Sequence, residues 1–185
     1  MPVQSTSMTS PRKLLKAGGL RPRKSMGQHF LADRNVAASI VRRAHLDLDD
    51  VVLEIGAGLG ALTMPLAAQV KRVLAVEPDS RIAAILKEEL LSANISNVTI
   101  IERDILRCDI KALSEESDAP LKVVGNLPYH ISSQVLIRLI HFREAIDTAF
   151  LTFQKEVAER LTAEPGTKIY GRLSVLIQYC AKIYP

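Results

Sequence analysis

Polar and apolar positions along this chain fall into two kinds of block. Short, largely apolar runs cover Val51 to Ile55, Arg72 to Val76, Val98 to Ile101, Leu121 to Val124 and Thr148 to Phe153. Their length and aliphatic content predict strands. Helical spacing fills the intervals. Asp33 is placed to cap a helix with Val36, Ile40, Val41 and Ala44 on its apolar face. Ala61 to Val70 reads as a helix that tolerates Pro65 in its first turn. Asp79 can cap a helix from Ser80 to about Leu91, and Ser132 or Ser133 opens one that runs through Leu139 and Ile140. Lys155 to Leu161 and Leu173 to Lys182 complete the helical set. Such alternation predicts an α/β fold, a mostly parallel sheet covered by helices on both faces. Ligands of such sheets sit beyond the carboxyl ends of the strands.

The chain has 185 residues, 48% of them hydrophobic and 24% charged, enough for one domain with an aliphatic core, or one domain and part of a second. No apolar run approaches the ~18 residues of a membrane span. Cys108 and Cys180 are far apart and in no metal-ligand spacing, which reads as two reduced thiols in a cytoplasmic protein with no metal site. Residues 1–24 carry Arg12, Lys13, Lys16, Arg21, Arg23 and Lys24 and no acid. Removing those six cations from the net charge of +4 leaves a body of about −2. Residues 1–24 are therefore expected to be a basic, flexible arm, and 25–185 the folded domain. The arm suits a polyanion. A plain solvated leader and an organellar transit peptide, given the Ser and Thr at residues 5–10, are the other readings.

Chemistry gathers where strands end. Gly56, Gly58 and Gly60 follow the first strand and precede a helix, a place where the backbone must turn sharply and lie close to a ligand. Gly56, Gly58 and Ala61 also satisfy a loose dinucleotide pattern, and Glu77 lies about twenty residues on, where a ribose-binding acid is expected. Asp104, read as closing the third strand, either accepts from an adenine amine or caps a helix or turn. A dinucleotide calls for pyrophosphate donors. A series of carboxylates instead suits S-adenosylmethionine, with its cationic sulfur and adenosine.

Asn126-Leu127-Pro128-Tyr129 follows Gly125 at the end of the fourth strand. Asn and Pro are ordinary turn residues. The same group can also hold the amine of a flat heterocycle. The Asn126 side-chain oxygen and a carbonyl beside Pro128 would accept its two N–H bonds, and Tyr129 would stack on the base, a contact worth about 1–3 kcal/mol. Phe153 either supports that base or packs in the core.

These segments, with Gly27-Gln28-His29-Phe30-Leu31, Gln154-Lys155-Glu156-Val157, Arg160-Leu161 and Tyr170-Gly171-Arg172-Leu173-Ser174-Val175, closely resemble the rRNA adenine dimethyltransferase family that modifies small-subunit ribosomal RNA, a relative of the macrolide-resistance methyltransferases. The resemblance implies a Rossmann-like methyltransferase domain. It implies that Gln28, His29 and Leu31 join Gly56, Gly58, Glu77, Asp104 and Asn126 around S-adenosylmethionine. It further implies that Asn126, Leu127, Pro128 and Tyr129 meet a flipped adenine, and that the protein is a monomer acting on small-subunit rRNA or the small ribosomal subunit. Members of the family continue into a strand pair and a helical domain, so a chain stopping at Tyr184-Pro185 is expected to be truncated and to leave an apolar sheet edge open. A non-catalytic assembly factor using the same pocket, and a nicotinamide-dependent oxidoreductase, are the competing functions.

Overall fold

A computed structural model describes Leu15, Gly19, Leu31 and residues 33–185. Five parallel strands form one sheet: β1 (Val51–Ile55), β2 (Arg72–Val76), β3 (Val98–Ile101), β4 (Leu121–Asn126) and β5 (Ile146–Thr152), in the order β3-β2-β1-β4-β5. The helices are α1 (Arg34–Arg43), α2 (Thr63–Ala67), α3 (Ser80–Ser92), α4 (Ile110–Ser117), α5 (Ser132–His141), α6 (Lys155–Leu161) and α7 (Arg172–Cys180).

The strand order makes the chain leave β1 toward β2 and β3, then return to lay β4 on the other side of β1. Crossovers on the two sides diverge at the carboxyl ends of β1 and β4, where doubly wound sheets form a crevice. Alternation along the strands sorts the core into two layers. Leu53, Ile55, Leu74, Val76 and Val123 pack with Ile110 of α4 and Val135 and Leu139 of α5. Val52, Val73, Ala75 and Val124 pack with Ile40 and Val41 of α1, Leu66 of α2 and Leu86 of α3. Every residue of β1 is buried, as a central strand covered on both faces requires.

Several boundaries match the pattern-based expectation, and the exceptions have physical causes. Asp33 caps α1 by accepting from the Asn35 and Val36 amides at 2.8 and 3.4 Å, but Val36 itself is exposed and Ala37 takes its place on the buried face. The helix expected over Ala61 to Val70 shrinks to Thr63–Ala67. The Asn97 side chain donates to the Ala67 and Val70 carbonyls at 2.9 and 3.1 Å, satisfying a helix end that pattern alone extends. Ser132 opens α5 without capping it, its hydroxyl donating back to the Pro128 and Tyr129 carbonyls at 3.2 Å each. β5 starts earlier than expected and ends at Thr152, which leaves Phe153 outside the strand, packed on core clusters. It lies at the end of the sheet, and none of its residues is buried.

Leu15, inside the expected arm, is buried against Leu59 and Ile82. Gly60 adopts φ +87°, and a Cβ there would come within 2.7 Å of Leu86 Cδ1. Gly60→Ala should therefore lower stability by roughly 2–4 kcal/mol, read as an earlier urea midpoint. Gly166→Ala, at φ +89° but facing open space, should cost less in the same titration.

Candidate active site

The site is built from four strand ends. On β1, Gly56 takes φ +77° and Gly58 φ +55°, and both the Gly56 and Ala57 amides donate to the Val76 carbonyl at 3.0 and 3.1 Å. The loop is thereby tied to the end of β2. Glu77, the residue after β2, tightens the tie. One carboxylate oxygen accepts from the Gly58 amide at 2.9 Å and the other from the Asp79 amide at 3.0 Å. Glu77 is 6% exposed. Burial pushes its pKa up, opposed by the Asp79 and Gly58 amides. Each oxygen retains a lone pair for a further donor such as a hydroxyl.

Asn126 is the last residue of β4, two positions beyond the expected strand end. Ile55 pairs with Gly125, and a Cβ on Gly56 would lie 3.9 Å from the Asn126 carbonyl oxygen, so the glycine turn and Asn126 stand face to face across the crevice. Gly125 makes the fit close, because a Cβ there would sit 3.2 Å from Ile55 and from Leu127 Cδ2. The Leu127 side chain is buried in the core, so that residue can meet a ligand only through its backbone. The Pro128 carbonyl accepts from the Ile131 amide and the Ser132 hydroxyl, both at 3.2 Å. Tyr129 is 52% exposed at the start of a single 3-10 turn, Tyr129–Ile131.

Asp104 lies three residues past the end of β3 rather than closing it, and its side chain accepts from the Leu106 amide at 2.9 Å. That is the capping role, which leaves its second carboxylate oxygen for a ligand. Leu31 packs against the cluster that contains Ala57, Leu62 and Val124. Gln28 and His29 lie outside the described residues.

Two residues with clear structural roles here are not among the site residues expected from sequence. Glu54 is the penultimate residue of β1 and 1% exposed. Neither of its carboxylate oxygens, nor the nearby Thr63 hydroxyl, makes a well-formed hydrogen bond among the described residues. Burial pushes its pKa up to about 7, opposed by Thr63 and reinforced by the Glu77 charge. An acid inside the otherwise aliphatic Val-Val-Leu-Glu-Ile run was the visible signal. Thr152 is the second. It pairs with Asn126 across the β4·β5 ladder, and its hydroxyl donates to Asn126 Oδ1 at 2.6 Å. No local pattern announces a contact between residues so distant in sequence.

A buried carboxyl under a glycine turn, a carboxylate with two spare lone pairs beside it and an amide across the crevice form a donor and acceptor set that fits a cationic nucleoside. The comparisons with known proteins agree. A model of the ribosomal RNA adenine dimethylase family matches residues 19–185. The chain is 50% identical over 176 residues to the ribosomal RNA small subunit methyltransferase A of Desulforapulum autotrophicum, covering 95% of this chain and 61% of that protein. It is similar in structure to a dimethyladenosine transferase from Plasmodium falciparum, with TM-score 0.71 and 32% identity over 81% of this chain and 52% of the other. It is also similar to the 23S rRNA methyltransferase ErmE, with TM-score 0.65 and 33% identity over 75% of this chain and 53% of the other. The chain thus spans roughly three-fifths of the length of the curated relatives it matches.

Glu54 gives the site a pH signature. Its pKa rises from 4.5 to about 7 on folding, so the native state holds a proton that the unfolded chain releases. Its contribution to stability is greatest below pH 4.5, falls between pH 4.5 and about 7, and is constant above, the full change being roughly 3 kcal/mol. In Glu54→Gln this decline should flatten in denaturation curves taken across that window. The part of the slope that remains belongs to other groups, Glu77 among them.

Proposed function

The chain belongs to the ribosomal RNA adenine dimethylase family, and from that membership we propose that the protein transfers methyl groups from S-adenosylmethionine to the exocyclic amine of adenines in small-subunit rRNA, giving dimethyladenosine during ribosome biogenesis. The observation that carries this reading is the placement of Asn126 at the end of β4, opposite the Gly56 turn, at the crevice where the sheet's crossovers diverge. The names of the relatives are those of methyltransferases, which favours catalysis over a purely structural assembly role.

In this reading Glu77 takes the ribose hydroxyls with its remaining lone pairs. Asp104 accepts from the adenine amine of the donor, and Leu31, Gly56 and Gly58 shape the wall beside it. The family resemblance adds Gln28 and His29 to the donor's contacts. Two carboxylates near the pocket favour a cationic ligand. S-adenosylmethionine supplies, when bound, a methyl on a positively charged sulfur, which the target amine takes by direct displacement before releasing its extra proton to water.

The chain's own task is to hold that amine. An adenine extruded from its stack enters beside Tyr129, whose ring covers one face. Asn126 Oδ1 accepts one amine N–H. The Pro128 carbonyl already serves Ile131 and Ser132, so the second acceptor is the Leu127 carbonyl. Two acceptors on one amine draw its lone pair out of conjugation and aim it, and such positioning supplies much of the acceleration. The protein acts as a monomer in the cytoplasm, in keeping with its unpaired Cys108 and Cys180.

The test combines the full-length protein with unmethylated small ribosomal subunits and labelled S-adenosylmethionine, followed by RNA digestion. Dimethyladenosine is expected. Bound donor without any methylated adenosine would overturn the catalytic reading in favour of the assembly factor. Asn126→Ala should lower kcat about 100-fold or more while donor Kd rises less than about tenfold. Glu77→Ala should show the opposite split, its loss appearing chiefly as weakened donor binding in calorimetry.

A further inference from the structure

The geometry points to Thr152 as a positioning residue for methyl transfer: its hydroxyl sets the orientation of the Asn126 carboxamide, so that an oxygen rather than an NH₂ group faces the target amine. This rests on the reading of Asn126 as the amine acceptor and adds to it a residue on a different strand.

The backbone of Asn126 has little freedom. Gly125 is paired with Ile55 on one side and with Leu151 on the other, and Asn126 is paired with Thr152. This double pairing fixes the register of the strand end. What remains free is the side chain, above all its terminal torsion. That torsion is broad and nearly two-fold, so a half-turn exchanges oxygen for nitrogen at small cost. The exchange matters. An NH₂ turned toward the exocyclic amine opposes donor with donor and cannot localise its lone pair.

In the structure Thr152 holds the arrangement in which its hydroxyl donates and the amide oxygen accepts. Its Oγ1 donates to Asn126 Oδ1 at 2.6 Å, which takes one of the two lone pairs on that oxygen and leaves the other for the substrate. The bond is part-buried, so it competes weakly with water. Thr152 is also β-branched, which limits its own χ1 and holds the hydroxyl in place. The lock therefore consists of a stiff donor on β5 and a pivoting amide on β4, set in register by the sheet. Gln154-Lys155-Glu156-Val157, one of the sequence's diagnostic segments, begins two residues later and continues into α6, which packs on α7 through the Ser174 hydroxyl bond to the Arg160 carbonyl at 2.7 Å. The position of Thr152 is thus braced from its downstream side.

The experiment compares the full-length protein with Thr152→Val, which keeps the shape and removes the donor, and Thr152→Ser, which keeps the donor. Expected for Thr152→Val is a fall in kcat of roughly 10- to 100-fold on unmethylated small subunits, with KM for the subunit and Kd for S-adenosylmethionine within about threefold of the parent. Thr152→Ser should recover most of the loss. Without substrate, the Asn126 side-chain NH₂ in ¹⁵N relaxation spectra should be ordered in the parent and in Thr152→Ser, and mobile in Thr152→Val. Parental kcat in Thr152→Val, or equal losses in the valine and serine variants, would overturn the assignment of Thr152. If Thr152→Val lowers thermal stability, the serine variant and the NH₂ order decide: serine activity as low as that of valine, or an ordered NH₂ in the valine variant, overturns the assignment. Full activity in Asn126→Ala would instead remove the reading of Asn126 itself, a result separable from any outcome at Thr152.

Discussion

The pairing of β1 with β4 is the constraint on which the site depends. Ile55 opposite Gly125 places the first residue of the glycine turn against the last residue of β4. One register step in either direction would turn the side chain beyond Gly125 to the opposite face of the sheet, since strand side chains alternate. At that register Gly125 packs tightly on Ile55 and Leu127, so a side chain there would have to displace its neighbours by a few tenths of an ångström. The crevice is thus a consequence of how two central strands are packed, and the loops above it inherit their separation from the core below.

The same centre carries an electrostatic load. Glu54 and Glu77 lie close enough for their charges to interact, both buried and both held above the usual carboxylate range. Natural cores avoid such pairs unless the groups are satisfied or used. Glu77 is satisfied, since it staples the glycine turn to the end of β2 through two amides. Glu54 is left without a well-formed partner among the described residues, and a positive charge in the crevice would offset the repulsion between the two carboxylates.

Much of this architecture was legible in the sequence because the information is local. A capping Asp before a helical run, an aliphatic strand, and glycines between strand and helix are each written within a few residues, and Asp33, Asp79, β1, β2 and β3 appear where their patterns place them. What pattern could not supply is tertiary. Asn97 shortens α2 from 30 residues away, and Thr152 reaches Asn126 from 26 away. Val36 has the right spacing for a buried face but lies on the outer side of α1, because the sheet offers that helix only Ala37, Ile40 and Val41 to bury. Asp104 had two readings from sequence; its cap on Leu106 is visible in the structure, while its ligand role belongs to the proposed donor complex.

β5 is the last strand on its side of the sheet. Among the described residues it has a neighbouring strand on one side alone, and its residues are at best half-buried. Edge strands open by local fluctuation more readily than central ones. Since the amide of Asn126 leans on a hydroxyl carried by that strand, fraying at the border of the sheet would blur the aim of a group on its neighbour. Whatever braces the outer flank of β5 would then steady the Asn126 amide without touching it.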